Sequence, residues 1–265
     1  MKKTLIALAV AASAAVSGSA MAWDQDGNGG NLDMGGTLTP VQKETPWEVQ
    51  ADVAVAGLDA PVKKGDTVAL VPVKTAIPVL GIRTKVNTPF AGDMLISPQI
   101  DYKGAVDIDG FKQGVTTLTL NINDSKQQKI GTLSVDLFAS ASVSQKYPGS
   151  KGTKDYQYFV ASSTAGEAFF GGVAKSNDAA SSESGTFGRV TAINPEFTAN
   201  FDAQGVPVLD SKVSTTGFQD TIATYSGFYG SGIESGSVMK ITLDKPADAA
   251  SIDWTASMPI TVSYQ

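Results

Sequence analysis

The 265-residue chain contains neither cysteine nor histidine. Without cysteine it forms no disulfide, and without histidine it has no Ser–His–Asp or Cys–His nucleophile system and lacks the usual zinc ligands. Its charge is acidic, with 20 Lys and Arg against 26 Asp and Glu and a formal net charge of −6. Because nucleic acids and anionic membranes are bound by clustered Lys and Arg, this balance argues against both as partners.

The first 22 residues have the pattern of a secretory signal peptide. Two lysines precede an apolar stretch from Leu5 to Val16, and Ala20-Met21-Ala22 is a small-residue cleavage site. The apolar stretch is too short to span a bilayer. We therefore expect residues 1–22 to direct export and to be removed, so that the mature chain begins at Trp23.

Most of the remaining chain consists of short segments with alternating or β-branched residues. Gly, Pro, Asn and Asp separate these segments, as they do in turns. The pattern predicts an all-β sandwich or barrel. The predicted strands are residues 68–73, 105–109, 115–122, 132–138, 237–243 and 259–264.

The middle of the chain, residues 145–235, is rich in Gly, Ser, Ala and Thr. We interpret this range as an insertion that decorates the sandwich. Within it, residues 161–170 have the composition of a short helix, with Ser162 or Ser163 near its N-cap.

Three motifs have both a functional and a structural interpretation. Asp101, Asp107 and Asp109 are candidates for the carboxylate pair of a glycoside hydrolase, but solvent-facing strand and turn positions explain them better. Residues 24–31 (D-Q-D-G-N-G-G-N) resemble a calcium loop without the Glu at its twelfth position, so a polar leader is favoured. Residues 226–232 (S-G-F-Y-G-S-G) suit a sugar-binding loop, although a strand end with core aromatics is favoured.

The two ends of the mature chain carry the strongest signal. In N-L-D-M-G-G-T-L-T, residues 31–39, every second residue is apolar or glycine, and a Gly-rich leader precedes the segment. These residues share one face of an extended strand: Leu32, Met34, Gly36 and Leu38. At the C-terminus Ile260, Val262 and Tyr264 alternate with polar residues in the same way.

These ends resemble the subunits of chaperone–usher fimbriae, in particular the large Fae-type branch. The resemblance rests on W-D-Q-D-G-N-G-G-N-L-D-M-G-G-T-L-T behind an M-K-K-T-L-I-A-L-A signal and on the terminus W-T-A-S-M-P-I-T-V-S-Y-Q. The fragments P-V-L-G-I-R-T-K (78–85) and P-Q-I-D-Y-K-G-A (98–105) extend it inward. Residues 145–235 carry no such match.

The resemblance implies an incomplete immunoglobulin-like sandwich that a donor strand completes. Residues 23–40 would be the donor-strand extension and residues 41–265 the pilin domain, with an insertion at about 145–235 that contains short helical turns. The extension of one copy would fill a groove in the next, a form of β-strand addition. The alternative is that residues 31–39 pair within their own sheet as an ordinary first strand.

The resemblance also implies a function and partners. The chain would be a non-catalytic structural subunit, major or minor, of a surface fimbrium, exported through the periplasm without a cofactor or metal. Its partners would be neighbouring subunits, an outer-membrane usher and a periplasmic chaperone, which would contact Ile260, Val262, Tyr264 and Gln265.

The alternative function is adhesion to host glycoconjugates through the insertion. Aromatic faces stack on sugars, so solvent-facing aromatic side chains around a shallow polar site would favour adhesion, whereas buried ones would favour a structural role. The candidate aromatic residues are Tyr156, Tyr158, Phe169, Phe170, Phe228 and Tyr229.

Overall fold

The computed structural model describes residues 34–37, 44–51, 55–149, 155–248 and 250–265. The chain divides into two units, Met1–Lys43 and Glu44–Gln265. In the first unit the four described residues belong to no helix or strand. Within the described ranges, no helix is long and apolar enough to cross a membrane.

The second unit is an all-β, immunoglobulin-like sandwich with one short α-helix, as predicted. Two 3-10 turns, Ile108–Gly110 and Pro195–Phe197, accompany the helix α1 (Thr186–Ile193). The strands are β1 (Trp47–Gln50), β2 (Val68–Pro72), β3 (Ile77–Thr84), β4 (Phe90–Ala91), β5 (Pro98–Asp101), β6 (Val115–Asn123), β7 (Lys129–Lys146), β8 (Tyr156–Val160), β9 (Val208–Ser214), β10 (Thr224–Ile233), β11 (Val238–Leu243), β12 (Thr255–Ala256) and β13 (Thr261–Tyr264).

The 18-residue strand β7 connects two wings of the main sheet. Its first half lies between β6 and β11, which gives the first wing the order β2-β11-β7-β6-β12. Its second half lies between β8 and β10, which gives the second wing the order β1-β3-β10-β7-β8-β9. Strand β13 pairs with β5 in a separate two-stranded sheet.

The main core lies against the inner face of this sheet. Side chains alternate across a strand, and every second residue of β7 is therefore directed into the core. These residues are Leu133, Val135, Leu137, Ala139, Ala141 and Val143. The opposite face of the first half of β7 is polar, with Thr132, Ser134 and Asp136, as expected of a sheet with one solvated face.

The outer face of the second wing is covered by α1 and the 3-10 turn that follows it. The side chains that meet there form a second cluster: Phe138, Val190, Ile193, Phe197 and Phe228. Glycines in the sheet allow this close approach. A Cβ atom on Gly230 would lie 2.4 Å from Val190 Cγ1, and one on Gly81 would lie 2.1 Å from Phe197 Cδ1.

Five of the six predicted strands are present, as β2, β6, the first half of β7, β11 and β13. The predicted strand 105–109 is wrong. Val106 forms only an isolated bridge to Leu118, and a 3-10 turn begins at Ile108. The reason is local, because the side chain of Asp107 accepts a hydrogen bond from the backbone N–H of Gly110 and stabilises the turn.

The predicted helix 161–170 is also wrong. Gly166 and Phe169 have φ angles of 92° and 58°, which an α-helix does not allow. The carboxylate of Glu167 accepts hydrogen bonds from the backbone N–H groups of Ser163 and Thr164, which fixes a turn. The α-helix of this region lies further along the chain, at Thr186–Ile193.

The boundaries of the insertion at 145–235 stay a prediction. Within this range β10 pairs with both β3 and β7 and is therefore a central strand of the sheet. The residues between β8 and β10 include α1, which packs on the outer face of the second wing.

Candidate functional site: an apolar cleft beside the C-terminal strand

A cleft of about 920 Å³ opens along the inner face of the first wing. Most of its floor is formed by side chains of β2, β6, β7 and β11 that are directed inward, at every second residue of each strand. We call it the apolar cleft. Its floor residues are Ala69, Val71, Leu118, Leu120, Ile122, Leu133, Met239, Ile241 and Leu243.

The rims of the apolar cleft come from two extended segments. Residues 55–62 contribute Val55, Leu58 and Val62 to one part of the lining. Residues 250–260, which lead into β13, contribute Trp254, Met258 and Ile260 among others. The apolar cleft thus exposes inward-directed strand side chains. In a complete sandwich such side chains would be buried in the core between the two sheets.

The segment that ends the chain alternates between exposed and half-buried positions, except at the exposed Ala256. Every odd-numbered residue from Ser251 to Gln265 is exposed. The half-buried residues that pack against the core are Ile252, Trp254, Met258, Ile260, Val262 and Tyr264. None of these six is fully buried, whereas nine of the ten residues of β10 are. The inner face of this segment is therefore covered less completely than the centre of the sheet.

Within the described ranges, strand β13 is paired along one edge only. It runs antiparallel to β5, with Val262 opposite Ile100 and Tyr264 opposite Pro98. Gln265 continues the pairing through two backbone hydrogen bonds with Ser97, of 3.0 Å and 3.1 Å. Among the described residues no strand pairs with the other edge of β13. An open edge beside an apolar cleft is the geometry that accepts an additional strand.

The predicted C-terminal site residues thus share one region. Ile260 lines the apolar cleft, Val262 and Tyr264 are half-buried on the same face, and Gln265 is exposed at the end. Burial raises the pKa of the Tyr264 hydroxyl, and a hydrogen bond with the Thr45 side chain partly offsets that rise. The residues before β1 therefore help to hold the end of the chain in place.

The predicted donor residues are only partly within the described residues. Met34 is 85% exposed, and an added Cβ on Gly36 would have no atom within 4 Å. Leu32 and Leu38 lie outside the described residues, as does the calcium-loop candidate 24–31.

The three candidate carboxylates are each engaged locally and do not form a hydrolase pair. Asp101 forms an ion pair with Lys103 at 2.5 Å, and the hydrogen bonds of Lys103 lower the pKa of the Asp101 carboxyl. The side chain of Asp107 stabilises the 3-10 turn, and Asp109 pairs with Lys175 at 2.5 Å. In the described part of the chain, no three acidic residues are grouped so that they could hold a metal ion.

The aromatic candidates for sugar contact are mainly core residues. Tyr158, Phe169, Phe228 and Tyr229 are at most 3% exposed. The 226–232 segment therefore carries core aromatics, as the favoured interpretation has it, but it lies within the central strand β10 and not at a strand end. Tyr156 and Phe170 are half-buried.

A second, polar pocket of about 390 Å³ is lined mainly by residues between 177 and 213. The ammonium of Lys212, one of its lining residues, lies 3.3 Å from the centre of the Tyr156 ring. The other lining residues include Gln113, Asn177, Asp178, Ser182 and Glu183. We call it the polar pocket.

The sequence reasoning missed the floor of the apolar cleft and the contribution of Trp254 and Met258. The alternation around Ile260 begins earlier than predicted, at Ile252, and this longer pattern is the signal that was available. The floor carried no separate signal, because inward residues that line a cleft and inward residues in a closed core follow the same period of two.

Comparisons with known proteins agree over the full length. A family model described as "Fimbrial, major and minor subunit" matches residues 1–265. The chain is 29% identical to the F41 fimbrial protein and 28% identical to the K88 fimbrial protein AB, both of Escherichia coli. It is 26% identical to the K88 fimbrial protein AC of the same organism. Each alignment covers 100% of this chain and 100% of the relative.

Proposed function

Because the chain belongs to the family of major and minor fimbrial subunits, which are structural proteins and not enzymes, we propose that it polymerises by donor-strand complementation. Residues 31–39 of one copy enter the apolar cleft of the next copy and pair with the open edge of β13. Residues 23–40 then act as an extension, and the sandwich from residue 41 onward acts as the acceptor.

The observation that carries this proposal is the apolar cleft of about 920 Å³ beside strand β13, one edge of which pairs with no other described strand. Both features require the same missing element, an extended strand with apolar residues on one face. Such a strand would also bury the half-buried side chains of Trp254, Met258 and Ile260. The segment 31–39 has the matching alternation.

The energetic gain from this strand is substantial. Burying Leu32, Met34 and Leu38 at about 1.5–3 kcal/mol each gives a gross stabilisation of about 5–9 kcal/mol. Backbone hydrogen bonds to β13 add to this, while the ordering of the extension opposes it. Gly36 suits a place where the cleft admits no side chain. The absence of cysteine is then understandable, because a partner strand completes the core.

Before assembly the open cleft needs a temporary partner. An unpaired strand edge beside apolar surface leads to aggregation. In this proposal the chain is exported into the periplasm, a chaperone pairs with β13 and contacts Tyr264 and Gln265, and an outer-membrane usher passes the subunit to the growing fibre on the cell surface.

Self-complementation tests the proposal. A copy of residues 27–39 is fused behind Gln265 through a flexible linker, and the fused and unfused chains are produced in the periplasm without a chaperone. We expect a stable monomer from the fused chain and aggregation of the unfused one, measured by size-exclusion chromatography and thermal unfolding. As a control, the fused copy carries Asp in place of Leu32, Met34 and Leu38. Equal stability and monomeric behaviour of all three proteins would contradict the proposal.

A second candidate function is adhesion through the insertion. The polar pocket favours it, because amides, carboxylates and a cation beside a half-buried aromatic ring suit a polar host glycan. The burial of four of the six aromatic candidates argues against those four as the sugar platform.

This candidate is tested on the self-complemented monomer. It is applied to an array of host glycans as wild type, as Lys212→Ala and as Lys240→Ala, the latter a control on the exposed face of β11. Adhesion through the polar pocket predicts binding that Lys212→Ala abolishes and Lys240→Ala preserves. An absence of glycan binding by the wild type would leave the purely structural function.

A further inference from the structure

A turn close to the end of the chain exposes apolar side chains. Leu95 is 58% exposed and its neighbour Met94 is 63% exposed. Ile222, from the loop before β10, is 70% exposed. We call these three residues the chain-end patch.

Backbone hydrogen bonds bring the two parts of the patch together. The N–H of Gly92 donates to the carbonyl of Ala223 at 3.1 Å, and the N–H of Asp93 donates to the carbonyl of Phe218 at 2.9 Å. Gly92 lies two residues before Met94, and Ala223 directly follows Ile222. The turn at 94–95 and the loop at 218–223 are therefore joined at their bases.

The same turn is fixed to the end of β13. Ser97 lies two residues after Leu95, and its N–H and carbonyl both pair with Gln265, at 3.0 Å and 3.1 Å. The patch consequently lies near the terminal carboxylate, where the open edge of β13 ends. A protein that pairs with that edge and reaches the carboxylate also comes close to the patch.

Two features of this turn cost free energy. Leu95 has a φ of 60°, in the left-handed region that a leucine rarely adopts, and its side chain is exposed there. The hydroxyl of Ser97 is buried and has no hydrogen-bond partner among the described residues. Strain of this kind occurs at sites that contact another molecule.

Resting on the donor-strand proposal, we propose that the chain-end patch is a second docking point for the periplasmic chaperone that first pairs with β13. The chemistry of the site requires a partner protein with an apolar surface that covers the patch. Next to that surface it needs a cationic side chain that pairs with the carboxylate of Gln265. A second copy of this chain fits less well, because its net charge of −6 brings acidic surface towards a carboxylate.

The test compares two double variants of the full chain. Leu95→Ser with Ile222→Ser removes apolar surface from the patch. Val68→Ser with Val238→Ser removes similarly exposed residues, 41% and 51%, from the outer face of the first wing. Each is produced in the periplasm together with the tagged chaperone of its own fimbrial system, and the affinity of the complex is measured by displacement with unlabelled wild-type subunit.

We expect the patch variant to bind the chaperone about tenfold or more weakly, as for the loss of anchor residues in an interface, and the control variant to bind like the wild type. In self-complemented form both variants should remain folded monomers. Wild-type affinity of the patch variant would overturn the inference. It would also be overturned if self-complemented wild type associated and the patch mutations abolished that association, since a second copy would then be the occupant.

This outcome is separable from the fate of the donor-strand proposal. If the fused copy of residues 27–39 fails to stabilise the chain, donor-strand complementation fails whatever the patch does. If the fused chain is stable and the patch variant still binds the chaperone normally, the donor-strand proposal stands and the chain-end patch alone is refuted.

Discussion

Replacing Ile260 by alanine should destabilise the subunit by different amounts with and without a donor strand. Ile260 is half-buried and lines the apolar cleft. In the unfused chain the substitution should lower the free energy of unfolding by about 1–2 kcal/mol, because part of the side chain is already in solvent. With a donor strand in the cleft Ile260 becomes fully buried, and the cost should rise to about 3 kcal/mol.

Ile82 provides the matched control. It is the same residue type, is fully buried in β3, and does not line the apolar cleft. Ile82→Ala should therefore cost about 3–4 kcal/mol in both the fused and the unfused chain, since its surroundings do not change. The assay is urea denaturation of all six proteins, with the unfused ones kept at submicromolar concentration to limit association.

The informative quantity is the difference between the two forms. We expect an additional cost of about 1–2 kcal/mol for Ile260→Ala on fusion, and none for Ile82→Ala. If Ile260→Ala costs the same in both forms, the donor strand does not cover Ile260 and the assignment of the apolar cleft as its acceptor is refuted.

Three further predictions concern the subunit itself. Gly230→Ala should destabilise by about 1–3 kcal/mol, because its Cβ would meet Val190 in α1, whereas Gly188→Ala, with open space inside α1, should stabilise by about 0.5–1 kcal/mol; chemical denaturation measures both. Leu95→Gly should stabilise the isolated subunit by about 1 kcal/mol by relieving its left-handed backbone, while weakening chaperone binding. Burial raises the pKa of Tyr102 from 10.0 to about 12. The stabilisation that comes from keeping this hydroxyl protonated is therefore complete below pH 10 and is lost between pH 10 and 12. Tyr102→Phe should reduce the loss of stability over that pH range, measured by chemical denaturation.

The sequence predicted strand β6, which has a clear period of two, and missed strand β10, which has none. Strand β6 alternates Thr and Leu and was predicted almost to its ends. Strand β10 is covered on both faces, by the main core and by α1, so its sequence T-Y-S-G-F-Y-G-S-G-I shows glycine and aromatic residues without alternation. Glycines are typical of turns, but here Gly230 makes room for Val190 and Gly232 for Ile193.

The two wrong elements failed because of side chain to backbone hydrogen bonds. A-V-D-I-D at 105–109 has β-branched residues, but the carboxylate of Asp107 supports a 3-10 turn. The composition of 161–170 suggested a helix. In the structure the carboxylate of Glu167 accepts hydrogen bonds from the backbone N–H groups of Ser163 and Thr164, and the segment forms a turn instead. Interactions of this type depend on side-chain rotamers, which residue patterns do not contain.

The candidate site was predicted at its ends and not at its floor. The alternation at Ile260, Val262 and Tyr264 identified the C-terminal strand. Strand β5, its partner, and the parts of the cleft floor from β2, β6 and β7 come from positions more than 100 residues away along the chain and follow only from the topology.

The central claim is that residues 31–39 of one copy occupy the apolar cleft of another. The chain contains no cysteine, so an engineered disulfide reports this directly. Fibres are assembled from a mixture of copies that carry Met34→Cys and copies that carry either Leu120→Cys or Met258→Cys in the cleft, and non-reducing electrophoresis then detects linked pairs. We predict disulfide-linked dimers of two different copies for at least one cleft position and none for Thr119→Cys, which is exposed on the opposite face of β6. No linkage at either cleft position, or equal linkage at Thr119, would contradict the account.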